Sequence, residues 1–111
     1  MQAPDFDPID AQEAKVLGFD FAPLLQTGDT VASVVGVTCS VHSGVDANPS
    51  SRMISGPTIV PSASSTLAGQ GVAQKFGTMI AGNSYVLSCL VNTTLGEVLE
   101  IWARIVCRSP N

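Results

Sequence analysis

The strongest constraint in this chain is a period of two near its end. From Asn83 to Asn92, the residues Tyr85, Leu87, Cys89 and Val91 share one face. From Glu97 to Arg108, Leu99, Ile101, Ala103, Ile105 and Cys107 do the same, with Glu100, Trp102, Arg104 and Arg108 pointing the other way. Side chains alternate across an extended backbone, so each run reads as a half-buried strand. Between them Thr93-Thr94-Leu95-Gly96 reads as a tight hairpin, with Gly96 free to take positive φ.

The same pattern runs upstream. Val16 to Phe21 is expected as a first strand with Leu17, Phe19 and Phe21 on one face. Ala22 to Asp29 is expected as a turn whose Leu24 and Leu25 plug the end of the core. Thr30 to Val41 is expected as the second strand, with Val31, Ser33, Val35, Val37, Cys39 and Val41 alternating onto one face. His42 to Ser55 is a loop by its Gly, Asp, Asn, Pro and paired serines. Pro57 to Pro61 reads as a short edge strand, because its prolines cannot donate to a ladder. Pro61 to Ser65 is loop again, and Thr66 to Phe76 a bent strand or strand pair kinked at Gly69 and Gly71. Six or seven short strands, with at most one or two helical turns between Asp10 and Val16, indicate an all-β sandwich.

At 111 residues the chain makes one domain with one modest core. We divide it into an N-terminal arm, residues 1–14, and a β-sandwich, residues 15–111. The arm holds Asp5, Asp7, Asp10 and Glu13 with Pro4 and Pro8, so it reads as arm or linker rather than core. It either frays or orders on a partner. Charged residues are only 13% and the net charge is −4. A surface so poor in charge is weakly protected against self-association and suits a subunit covered by neighbours. Lys15, Arg52, Lys75, Arg104 and Arg108 are scattered, which argues against nucleic-acid binding. No apolar run approaches the length of a membrane-spanning helix. The acidic start is the reverse of a signal peptide, which argues against secretion by that route. Cys39, Cys89 and Cys107 lie in apolar or β-rich runs. They are expected as buried thiols, with a Cys39–Cys89 bridge between two sheets as the alternative.

Nothing in the pattern brings catalytic groups together. The one histidine, His42, has serines around it and Asp29 or Asp46 as imaginable partners, but no spacing fixes a triad. Cys39-Ser40-Val41-His42 would diverge along a strand, and no second ligand pair exists for zinc. The acidic run Asp5-x-Asp7-x-x-Asp10 lacks the Gly and terminal Glu of a calcium loop. Gly69-Gln70-Gly71 lacks the third Gly of a dinucleotide fingerprint. Glu97 and Glu100, three apart on one strand, would face opposite sides and so do not make a glycosidase pair. The expectation is a non-enzymatic protein with no metal or cofactor.

Contact residues are expected instead. Trp102, outward between Glu100 and Arg104, is either a contact anchor or the centre of a second core covered by the arm. The candidate protein interface is Asp5, Phe6, Asp7, Ile9 and Asp10 of the arm with Trp102 and Arg104. The Ser-rich loop after the second strand is a further expected contact surface.

Three segments together carry a resemblance: Leu17-Gly18-Phe19-Asp20-Phe21-Ala22-Pro23-Leu24-Leu25-Gln26-Thr27-Gly28-Asp29-Thr30, then Ala81-Gly82-Asn83-Ser84-Tyr85-Val86-Leu87, then Val91 to Gly96. The chain resembles a family of small structural proteins of tailed bacteriophages. Their pattern is an aspartate flanked by aromatics, an apolar stretch, G-D-T-I, a late A-G-x-x-Y strand and a T-(S/A)-x-G hairpin. The family often has Trp where Phe21 stands, and the stretch from His42 to Ser65 matches no part of its pattern.

The resemblance implies an immunoglobulin-like antiparallel β-sandwich carrying an extended arm. It implies a virion component assembled in the bacterial host cytoplasm, an adaptor in the head–tail neck or fiber attachment region. A capsid decoration protein is the close alternative and a host-surface or carbohydrate-binding module a more distant one. Implied partners are portal, adaptor, tail or fiber proteins, or the major capsid protein, together with self-association.

Overall fold

The structure, a computed structural model, describes residues 1–61 and 69–109. The strands are β1 (Ile9–Asp10), β2 (Ala14–Asp20), β3 (Val31–Ser43), β4 (Met53–Val60), β5 (Gly71–Gly77), β6 (Ser84–Thr93) and β7 (Val98–Arg108). Single 3-10 turns lie at Ala22–Leu24 and Pro49–Arg52. One sheet has the order β1-β7-β6-β3 and the other β2-β5-β4. This is the strand order of the seven-strand immunoglobulin-like sandwich, with its first strand moved across to the last.

The alternation read from the sequence holds best in β6 and β7. Tyr85, Leu87, Cys89 and Val91 are fully buried, and Ile101, Ala103, Ile105 and Cys107 nearly so. Phe19, Val72 and Phe76 of the second sheet, with Phe21 just past the end of β2, meet them. Burying each such side chain contributes roughly 1.5–3 kcal/mol. Gly96 takes φ +90° at the end of the hairpin.

Tyr85 opens β6, and its Oη accepts the Ile80 N–H at 3.2 Å. That is the tyrosine corner of immunoglobulin-like sandwiches. The same Oη donates to Asp46 Oδ2 at 2.8 Å. Arg52 forks onto both Asp46 oxygens at 2.8 and 3.1 Å, and its Nη1 donates to the Thr78 carbonyl at 2.6 Å. Asn83 Nδ2 donates to the Val45 carbonyl at 2.8 Å. The loop expected from composition is therefore stapled at one end of the sandwich, and β3 and β4 extend into it.

Four differences from the sequence reading have physical causes. Register shifts at Val31/Ser33 and Val34/Gly36 break the simple alternation in β3. A bulge inserts an extra residue and reverses the facing of the residues after it; Val35 is 55% exposed while Val34, Val37 and Val41 pack on the core. No helix forms between Asp10 and Val16: a turn closed by Glu13 N–H to Asp10 O leads straight into β2. β1, within the expected arm, pairs parallel to β7, while every pair among β2–β7 is antiparallel as expected. Finally, Cys39 and Cys89 sit on adjacent strands of the same sheet, with Cys89 opposite Val37; these two and Cys107 are free, buried thiols. No bridge between sheets joins them.

The expected edge strand at Pro57 is β4, the outer strand of its sheet. Its bulge between Ile54 and Thr58 is filled by Gln74, 2% exposed, whose Nε2 lies 3.2 and 2.8 Å from the carbonyls of Ile54 and Ser55. Most of the expected loop at 61–65 and the start of the strand expected from Thr66 lie outside the described residues.

Candidate interaction face

The arm is part of the sandwich. Trp102 N–H donates to Met1 O at 3.0 Å, Ala3 N–H to Trp102 O at 2.8 Å, Phe6 N–H to Arg104 O at 2.9 Å and Ala11 N–H to Arg108 O at 3.0 Å. The Met1 ammonium donates to Glu100 O at 2.8 Å. Prolines at 4 and 8 do not prevent this, because an edge strand needs donors on one side only.

The side chains of the arm divide in two. Ile9 is fully buried, and Phe6 meets Phe19 edge-on with ring centroids 5.7 Å apart. Asp10 lies 3.3 Å from an Arg108 guanidinium nitrogen. Asp5 and Asp7 are exposed. Of the arm residues expected at an interface, Asp5 and Asp7 therefore present their side chains outward, while Phe6 and Ile9 anchor the arm. A cavity of about 250 Å³ lies between arm and β2, walled in part by Ala3, Pro4, Phe6, Gly18 and Ile101.

Trp102 and Arg104 alternate with inward Ile101, Ala103 and Ile105, so both occupy the outer face of the four-stranded sheet. The arm runs along the edge of β7, paired by its backbone. Trp102 is half-buried, and the Arg104 guanidinium carbon lies 5.8 Å from its ring centroid. Cation–π attraction favours that placement. Arg104 Nε is buried and has no hydrogen-bond partner among the described residues.

The surroundings mix small polar and aliphatic side chains. The ladder sets Trp102 beside Ser88, and Ser88 beside Thr38. The next rows are Glu100, Leu90 and Gly36 on one side, and Arg104, Val86 and Ser40 on the other. Ser88 Oγ donates to Glu100 Oε2 at 3.2 Å. A Cβ on Gly36 would meet nothing within 4 Å. The result is an indole and a guanidinium on a face that also carries Ser88, Thr38, Leu90 and Val86, a form suited to contact with another surface.

The remaining polar groups are engaged structurally. Asp29, 1% exposed, accepts from Thr30 N–H at 2.8 Å, from Leu95 N–H at 3.2 Å and from the Thr94 hydroxyl. Burial pushes its pKa up, but the hydrogen bonds, led by Thr94 and Thr30, outweigh this and hold it below the ordinary value. Arg52, followed by Tyr85 and the Asn48 N–H, overcomes burial at Asp46 and holds its carboxyl well below the usual carboxylate range. Burial pushes the Cys39 and Cys89 thiols up to about 12.

The sequence reading placed Asp29 at the end of the turn before the second strand and as an imaginable partner of His42, and missed its role as a buried clasp; its Gly-Asp-Thr setting was the available signal. His42 is exposed while Cys39 is buried, so the two diverge as strand geometry requires. Among the described residues no three His, Cys, Asp or Glu side chains are grouped to hold a metal ion. No family model, curated protein or solved structure matches this chain.

Proposed function

We propose that this chain is a non-enzymatic structural component of a tailed-phage virion, an adaptor of the neck or fiber attachment region that binds neighbouring virion proteins through the Trp102 face. The observation that carries the contact reading is the Trp102–Arg104 pair on the open side of the four-stranded sheet, with Arg104 Nε buried and unpartnered. A buried donor without an acceptor costs roughly 1–3 kcal/mol, and a partner carbonyl or carboxylate would recover it once the Arg104 side chain turns to bring Nε to the surface. Trp and Arg are also among the residue types most enriched at interface hot spots.

The virion setting is supported by the resemblance carried by residues 17–30, 81–87 and 91–96. The structure gives that pattern a physical sense: the Gly28-Asp29-Thr30 segment and the Thr93–Gly96 hairpin touch through Asp29 and Thr94. The reading is tested by fractionating particles from a host carrying this gene. Presence of the chain in purified particles at a low, ring-like copy number is expected. A shell-like copy number would favour a capsid decoration role, and absence from particles would overturn the virion reading.

A further inference from the structure

We infer that two copies of this chain pair edge to edge through β3, antiparallel about a two-fold axis at Thr38. The four-stranded sheet would thereby continue across the pair.

The other outer strands are guarded. The arm alongside β7 carries Pro4, Pro8, Asp5, Asp7 and Asp10; β2 carries Lys15 and Asp20; β4 carries Pro57 and a bulge. Charges, prolines and bulges on an edge are the usual obstacles to pairing with another chain. β3 differs. It runs thirteen residues with no Asp, Glu, Lys, Arg or Pro. It pairs with β6 on one side and with no strand on the other among the described residues. It has register shifts at Val31/Ser33, Val34/Gly36 and Val41/Ser43, but between them the six residues Gly36–Val41 keep unbroken register with Leu90–Tyr85 and form the regular edge.

That regular run is self-complementary. Antiparallel pairing about Thr38 sets Thr38 against Thr38 of the second copy, Val37 against Cys39, and Gly36 against Ser40. Residues directly opposite share a face, so apolar meets apolar and small polar meets small polar. Two uncharged strands meet without like-charge cost, whereas a strongly charged peptide would find no counter-charge here. The second copy is thus the occupant that this edge fits.

The pairing has a consequence for the face. The row Trp102–Ser88–Thr38 would continue into its symmetric copy, placing the two Trp102 side chains on one surface about 24 Å apart at ordinary strand spacing. Only this consequence rests on the proposed docking role; the pairing itself does not.

Light scattering on the full chain from about 1 µM to 1 mM, the range of weak to moderate association, tests it. The mass is expected to rise from 11.5 kDa to twice that value. Thr38 is exposed, so Thr38→Lys and Thr38→Glu should fold, as circular dichroism would verify. Each variant alone is expected to stay at the single-chain mass, because like charges would face each other at the axis. An equimolar mixture is expected to double again. A native chain that stays single at about 1 mM, a Thr38→Lys chain that doubles like the native one, or a mixture that stays single would each overturn the proposal.

Discussion

The hydroxyl of Thr94 donates to the carboxylate of Asp29, tying the start of β3 to the hairpin between β6 and β7 across 65 positions of sequence. The same carboxylate accepts Thr30 and Leu95 N–H groups. Asp29→Ala removes all of these acceptors at a buried point, while Thr94→Val removes one donor and a longer, 3.4 Å acceptor for Thr30 N–H. Thermal unfolding should show the aspartate variant losing clearly more stability than the threonine variant. Equal effects would mean that the backbone contacts contribute little.

Tyr85→Phe keeps the ring in the core but removes the acceptor for Ile80 N–H and a donor to Asp46. A loss of about 1–2 kcal/mol is expected in denaturant unfolding with an unchanged slope.

Asp46 sets a pH dependence. Its folded pKa lies well below the ordinary 3.8, because of Arg52 first and then Tyr85 and Asn48, against burial. A depressed carboxylate contributes stability that is present above its unfolded pKa and lost as pH falls through its folded one. Asp29 is shifted in the same direction. Stability should therefore be flat above about pH 5 and fall progressively below about pH 4. Asp46→Asn should flatten that fall and lower the plateau, as pH-dependent urea titrations would show.

The arm should matter to folding. Ile9 is fully buried beside β7. Ile9→Ala is expected to cost about 2–5 kcal/mol, the range for truncating a core aliphatic. Asp5→Asn and Asp7→Asn, at exposed sites, should change stability by less than about 0.5 kcal/mol. Thermal melts of the three variants provide the check.

The sandwich was legible where alternation is strict. In β6 and β7 each apolar residue on the expected face is inward, because a one-residue slip would expose the whole set. β3 was less legible: its valines are dense enough to fit either face, and bulges, which no residue type announces, decide between them. The arm misled because prolines and aspartates dominate its composition. Ile9 and Phe6, apolar side chains among aspartates and prolines, were the quieter signal; three apart, both reach the core because the arm is not one regular strand between them. At the candidate face, Trp102 and Arg104 could be placed outward from alternation alone. Their stacking and the orphaned Nε depend on rotamers and neighbours from three strands, which periodicity does not encode.

The proposed docking role of the Trp102 face is tested most directly by cross-linking mass spectrometry on purified particles, comparing the native chain with Trp102→Ala. The expected result is incorporation of the native chain with links from β7 and the adjoining arm to a neighbouring virion protein, and loss of incorporation for a Trp102→Ala chain that still folds. Absence of the native chain from particles, or full incorporation of the Trp102→Ala chain with the same links, would contradict it.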